Sequence, residues 1–272
     1  MTSPNITLYL LRDVPGMPLY FPPHPWKTIL ALKLLDVPHE VEYVSLDELS
    51  HVLPLRMGTA KVVLPALKIA HNNQSEEYIM DSYNIAIWLE ENFATRERSL
   101  FSPGSHYLSS AVVSARIFAR FLENWVDHSL AAALRPCIKS FVSNGSDLLT
   151  GTHRDSYRAR VGVDVIDEMA KLNKDPTWRE AQYERAREQF NLLERLLAEQ
   201  SERGEIGDFI TGSEPRYVDI VFFAFYPFSL PNPSLVLGTW RHSSLPFVGK
   251  WLDAMLGSGL IDTGALPADP SK

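Results

Sequence analysis

Residues 6–11 are apolar apart from Thr7, the pattern of a short buried strand. Residues 14–25 form a proline-rich loop. Trp26, Ile29, Leu30, Leu32 and Leu34 then recur at helical spacing, and Asp36-Val37-Pro38 ends that helix. Residues 39–44 alternate apolar and polar side chains as a strand does. The opening unit is therefore β-α-β, which favours parallel pairing of its two strands. Residues 46–61 predict a short, irregular helix. Residues 61–69 predict a strand interrupted by Pro65, and a proline there demands an edge, a bulge or a special bend. Asn72, Asn73 and Gln74 mark a turn into a strand at residues 77–80, so the pair reads as a hairpin. Ser82 is expected to cap a helix with apolar positions Ile85, Ala86, Trp88 and Leu89.

Beyond residues 101–104 the strand pattern does not recur. Residues 107–134 predict one long helix with an apolar stripe at Ile117, Phe118, Phe121, Leu122 and Trp125. Residues 156–172 and 178–203 predict helices of mixed charge. Residues 217–228 are apolar nearly all round, as a buried central helix is. Residues 247–256 predict a last amphipathic helix, and residues 267–272 a loose tail. The fold class is α/β plus all-α, with a small domain over residues 1–97 and an all-helical one over residues 98–272.

Composition narrows the function classes. In 272 residues, 45% are hydrophobic and 22% charged, enough for a sizeable core without disulfide or metal. Twenty-six basic against 33 acidic residues give a formal charge of −7, which argues against nucleic acid or an anionic membrane as partner. Cys137 is the single cysteine, so neither an intrachain disulfide nor a cysteine-based metal site can form. That fits a reducing compartment. The most apolar region, residues 218–230, contains Asp219 and Pro227 and falls short of the ~20 residues that span a bilayer. With no targeting signal visible, a soluble, cytoplasmic protein is expected.

Glycine-rich phosphate loops and the G-x-S-x-G elbow are absent. The eight histidines are scattered without an H-x-x-x-H pair, so no metal site is expected. Two features carry more. If the Leu64–Pro65 bond is cis, the N–H and C=O of Leu64 turn outward to an extended peptide. The alternative is an edge strand with an ordinary trans proline. Asp81 and Ser82, between strand and helix, can hold the amino-acid end of a ligand: carboxylate at the helix start, ammonium on Asp81. The alternative is a capped helix and nothing more.

Taken in order, these elements resemble the cytosolic glutathione transferases over roughly residues 6–256. The run from Phe209 to Asp219 is similar to the glycine turn and buried helix start of that superfamily's second domain. His24-Pro25-Trp26-Lys27, the stretch Leu30 to Lys33, and Tyr157 to Gly162 resemble its fungal etherase-type branch. The resemblance implies a thioredoxin-like domain that binds glutathione as cosubstrate, followed by an all-helical glutathione-transferase domain. By it, Leu64 pairs the cysteinyl backbone across cis-Pro65, and Asp81 and Ser82 hold the γ-glutamyl group. His51, Arg56 and Lys61 are the cations available to the glycine carboxylate. A small hydrophobic electrophile lies near Tyr107, Arg116, Phe118, Arg120 and Trp125, with core packing the alternative role for most of these aromatics. A homodimer through the third and fourth helices, a fungal source and an aromatic or secondary-metabolite substrate are also implied.

The chain departs from that family where the chemistry needs a donor. The nucleophile is a thiolate, and the etherase-type branch supports it with a serine hydroxyl. Pro22 stands at that serine here, and His24 at a following asparagine. Pro22, Pro23 and Pro25 have no N–H, so only His24, Trp26 and Lys27 offer backbone donors. His24 and Tyr20 are the candidate catalytic residues, with Lys27 supplying charge at longer range. Arg216 replaces a capping Ser or Thr, leaving Asp219 to bond back to loop amides and Ser213 or Glu214 to cap one turn earlier. The expected function is glutathione-dependent conjugation, ether cleavage or thiol-addition isomerisation. The alternative is a non-catalytic glutathione- or ligand-binding protein on the same fold.

Overall fold

The computed structural model describes residues 4–11, 23–71, 75–102, 110–143, 162–205 and 207–272. It divides into two compact units, Met1–Arg120 and Phe121–Lys272.

In the first unit, β1 (Asn5–Leu11), α1 (His24–Leu34) and β2 (Glu40–Val44) form the expected β-α-β. β3 (Ala66–His71) and β4 (Ser75–Met80) complete a four-stranded sheet of order β2-β1-β3-β4. β1 pairs parallel to β2, with Leu8 opposite Val41, and antiparallel to β3, with Leu8 opposite Leu67. Residues 6–10 of β1 are all buried, because both faces of the sheet are covered. On one face Tyr9 packs with Val44, Leu53, Val62 and Ala66. Ile6, Leu8 and Leu10 fill the other by the two-residue alternation of a strand.

Two local expectations change, the start of the third strand and the cap of the third helix, while the short irregular helix is found. The strand expected over residues 61–69 begins only at Ala66, because Pro65 has no N–H to give a ladder. The irregular helix of residues 46–61 is a wide turn at Glu48–Val52 followed by α2 (Leu53–Met57). Gly58, at φ 62°, ends α2 in the left-handed conformation and returns its N–H to Pro54. Ser82 is not the cap of α3 (Ser82–Phe93). Asp81 holds that position, its Oδ1 accepting from the N–H of Tyr83 at 3.0 Å and of Asn84 at 3.2 Å.

In the second unit, α4 (Ser110–Trp125, begun in the first unit) continues through a wide turn at Val126–Leu130 into α5 (Ala131–Ser143). The described helical run thus extends past the expected end at residue 134. It buries Leu122, Val126, Leu130 and Leu134. Ile117, Phe118 and Phe121, expected in one apolar stripe with Leu122, are instead exposed. α6 (Val163–Leu172) is the described part of the helix expected over residues 156–172, and α7 (Pro176–Glu202) follows, capped by Asp175. The central apolar helix is two pieces, α8 (Tyr217–Phe223) and α9 (Phe225–Ser229), joined at Ala224 and almost entirely buried. A short helix unforeseen in the sequence, α10 (Pro233–Gly238), starts where Asn232 Oδ1 accepts from the Leu235 N–H. α11 (Pro246–Gly257) is the last α-helix.

Asp219 is wholly buried and bonds backward as expected. It accepts from the amides of Ile210 and Arg216 and from the Trp251 indole, each at 2.9 Å. Arg216 itself occupies the N-cap without a side-chain acceptor; neither Ser213 nor Glu214 takes that place. The tail is not loose. Arg241 Nε donates to Asp269 Oδ2 at 3.0 Å, and both side chains are about nine-tenths buried.

Candidate ligand-binding site

Sheet register brings the candidate residues to one end of the first unit. Ala66 lies opposite both Tyr9 near the end of β1 and Met80 at the end of β4. Leu64, two residues before Ala66, and Asp81, one after Met80, therefore flank the same end. α1 returns between two parallel strands, so its N-terminus lies there too.

The Leu64–Pro65 bond is cis. The N–H and C=O of Leu64 have no hydrogen-bond partner among the described residues. Such a pair is what an extended peptide uses when it adds to a sheet edge. Asp81 sits at φ 79° and ψ 128°, a costly conformation for a residue with a side chain. Two amides of α3 hold its Oδ1, while its Oδ2 has no partner among the described residues. Ser82 is buried in the first turn of α3.

α1 begins differently from a hydroxyl-capped helix. Its N-cap is Pro23, with no side-chain cap, and Pro25 follows within the first turn. The Trp26 N–H, one of three expected donors, bonds the Pro23 carbonyl at 3.0 Å. His24 is half-buried at the start of the helix. Lys27 is wholly buried. Tyr20 and Pro22 lie outside the described residues, as do Tyr107 and Tyr157 to Val161.

The three expected cations differ. His51 is exposed and faces Asp47 at 3.0 Å. Arg56 is engaged by Glu42, and that hydrogen bond raises its pKa. Lys61 is exposed and has no ion-pair partner among the described residues.

The residues expected around a hydrophobic substrate separate. Trp125 packs against Phe222 at 5.9 Å between ring centroids, the core role given as its alternative. Phe118 is exposed. Arg116 pairs with Glu91 at 3.1 Å and covers the Phe101 ring, with its Nε and Nη2 buried and unpartnered. Arg120 lies over the Tyr83 ring at 4.7 Å, with Nη1 3.8 Å from Asp81 Oδ1. Sequence reasoning missed this proximity of Arg120 to Asp81. The signal available was the i, i+4 spacing of Arg116 and Arg120, which places both on one side of α4.

Among the described residues no group of three or more His, Cys, Asp or Glu is placed to hold a metal. No described helix is long and apolar enough to cross a membrane.

Comparison with known proteins agrees with this architecture. Residues 176–254 match the family model described as glutathione S-transferase, C-terminal domain. A glutathione S-transferase of Ceriporiopsis subvermispora, solved in complex with glutathione, superposes with a TM-score of 0.66 at 17% identity, covering 94% of this chain and 97% of that one. The fold is that of the glutathione transferases. A Tau class glutathione S-transferase from mango, Mangifera indica, shares this fold at a TM-score of 0.62 and 16% identity, covering 98% of this chain and 94% of that one. A maleylacetoacetate isomerase from Anaeromyxobacter dehalogenans, with glutathione bound in its active site, gives 0.51 at 16% identity, covering 99% and 98%. No curated protein sequence matches the chain.

Proposed function

We propose that this chain is a glutathione-dependent enzyme of transferase or isomerase type. The observation that carries the reading is Leu64, with its N–H and C=O unpaired among the described residues, at the sheet end it shares with Asp81 and Ser82. In this reading Leu64 pairs the cysteinyl backbone beside Pro65, and Asp81 and Ser82 receive the γ-glutamyl end. Lys61 is the cation best placed in charge terms for the glycine carboxylate, since His51 and Arg56 already face carboxylates. Glutathione bound in the Ceriporiopsis protein and in the isomerase supports the choice of ligand.

The thiol adds to an electrophilic carbon of a small hydrophobic partner. In conjugation or ether cleavage it displaces a leaving group; in isomerisation it departs again after bond rotation. An α1 start with Pro23 as cap and no capping side chain offers sulfur little support, which favours a substrate electrophilic in its own right. An aromatic compound or secondary metabolite answers that description. His24, at the head of α1, is the proposed donor to sulfur, with Tyr20 the alternative.

The same α1 start favours a second reading, a protein that binds glutathione without catalysis. Calorimetry with glutathione, followed by conjugation assays on a chloronitrobenzene and isomerisation assays on a conjugated enone, tests both. Binding with turnover supports the enzyme. Binding without turnover of either substrate supports the second reading. No binding at millimolar glutathione removes both.

A further inference from the structure

We propose that the second unit carries a binding site of its own, for a small uncharged molecule with an apolar ring system and a carbonyl oxygen, in the cavity between α9, α11 and the tail. The cavity measures about 350 Å³. That lies within the roughly 300–1,000 Å³ of small-molecule sites and far exceeds the ~30 Å³ share of one water. Tyr226 and Leu230 line it at α9 and just beyond, Leu256 on α11, and Leu266 and Pro267 on the tail. All of these residues belong to the second unit, whereas Leu64, Asp81 and Ser82 belong to the first. The inference therefore stands or falls independently of the glutathione reading.

One buried group in this wall is unsatisfied. Tyr226 is 1% exposed, and its hydroxyl has no hydrogen-bond partner among the described residues. Leaving a buried hydroxyl unpaired is costly, and a ligand atom that supplies the partner recovers that cost. Burial pushes the pKa of Tyr226 up, so the hydroxyl keeps its proton and donates. A carbonyl oxygen is the acceptor that complements it.

The acids that line the cavity are already balanced. Asp269 accepts from Arg241 Nε at 3.0 Å. Asp253 Oδ1 lies 3.0 Å from Arg241 Nη2 and 3.4 Å from Lys272 Nζ. Two carboxylates thus face one guanidinium and one ammonium, which leaves no net charge to attract an ion and favours an uncharged occupant. Leu230, Leu256, Leu266 and Pro267 supply apolar surface for its rings. The tail forms one wall and is held by the pair of Asp269 with Arg241, so filling the cavity and ordering the tail are coupled.

The test is photolabelling of the full chain with benzophenone, read by peptide mass spectrometry. Benzophenone is uncharged, carries two apolar rings on one carbonyl, and inserts on irradiation into C–H bonds that it touches. Labelling is expected in the peptides that carry residues 226–230 and 253–268, with slower hydrogen exchange over residues 262–272 when benzophenone is bound. Tyr226→Phe keeps the ring and removes the hydroxyl. It should raise the concentration for half-maximal labelling roughly three- to tenfold, the worth of one hydrogen bond. Leu256→Trp should fill the cavity and abolish labelling there. Tyr183→Phe is the control, because it removes another buried, unpartnered hydroxyl that does not line the cavity, and it should change nothing. Labelling absent from these peptides, or as strong in Tyr226→Phe as in the unaltered chain, overturns the proposal. Calorimetry with glutathione is read separately, so failure of either result leaves the other standing.

Discussion

Asp219 Oδ1 accepts the indole N–H of Trp251 at 2.9 Å, tying the first turn of α8 to the middle of α11. The same carboxylate takes the amides of Ile210 and Arg216. Burial pushes its pKa up to about 6, although these three donors act in the opposite direction. Asp219→Ala should cost about 3 kcal/mol or more, since it strands buried donors. The pH dependence follows from the raised pKa. Between about pH 4 and 6 the unfolded chain gives up this proton more readily than the folded one, so the contribution falls as pH rises. Urea titrations of the unaltered chain and Asp219→Asn across that window should show the advantage of the unaltered chain shrinking with pH. An advantage independent of pH would contradict the shift.

Asp269 has the opposite sign. Burial raises its pKa, but hydrogen bonds from Ser271 and Arg241 outweigh that and hold it at about 2. Its stabilisation is therefore present above the unfolded value near 4 and lost as pH falls through 2. Hydrogen exchange of residues 262–272 should accelerate over that range. Arg241→Gln should show fast exchange already at neutral pH, whereas unchanged protection in that variant would show that Arg241 does not hold the tail.

Bound glutathione should remain mostly thiol at pH 7. Pro23 and Pro25 lack N–H groups, and the Trp26 N–H is used by Pro23, so sulfur keeps a pKa near the free value of about 8.5. Thiolate absorbance titrated in the complex reads this directly, and full ionisation at pH 7 would refute it. Pro22→Ser should raise the rate with a chloronitrobenzene by restoring a hydroxyl. His24→Ala should lower it if His24 is the donor; an unchanged rate points to Tyr20 or to no donor.

A homodimer is expected through α3 and α4. Ile117 and Phe121 are 67% and 68% exposed one turn apart on α4, and Val113 and Phe118 are also exposed. So large an apolar strip on one helix is suited to a self-complementary interface. Light scattering should give twice the 30.7 kDa of one chain. Ile117→Asp with Phe121→Asp should give the single mass, and a monomeric unaltered protein would refute the expectation.

The sequence by itself determined the order of elements. The near-unbroken apolar run of β1 and the alternation in β2 announce the sheet, and the 3.6-residue spacing in α1, α3 and α11 announces the helices, because these periods are local. It also named Leu64, Pro65, Asp81 and Ser82, whose meaning depends on neighbours one or two residues away. Tertiary structure decided what depends on distant chain segments. Asp81 rather than Ser82 caps α3, because the positive φ of Asp81 brings its carboxylate onto two helix amides. Arg120 meets Asp81 only because Tyr83 joins α3 to α4, a contact across 33 residues of sequence. Ile117 and Phe121 share the hydrophobicity of Leu122, yet only Leu122 is buried, since helical rotation puts them on different sides of α4. Asp269 is drawn from the tail into a buried ion pair by Arg241, 28 residues earlier. Charge and hydrophobicity are properties of a residue; which surface receives them is a property of the packed chain.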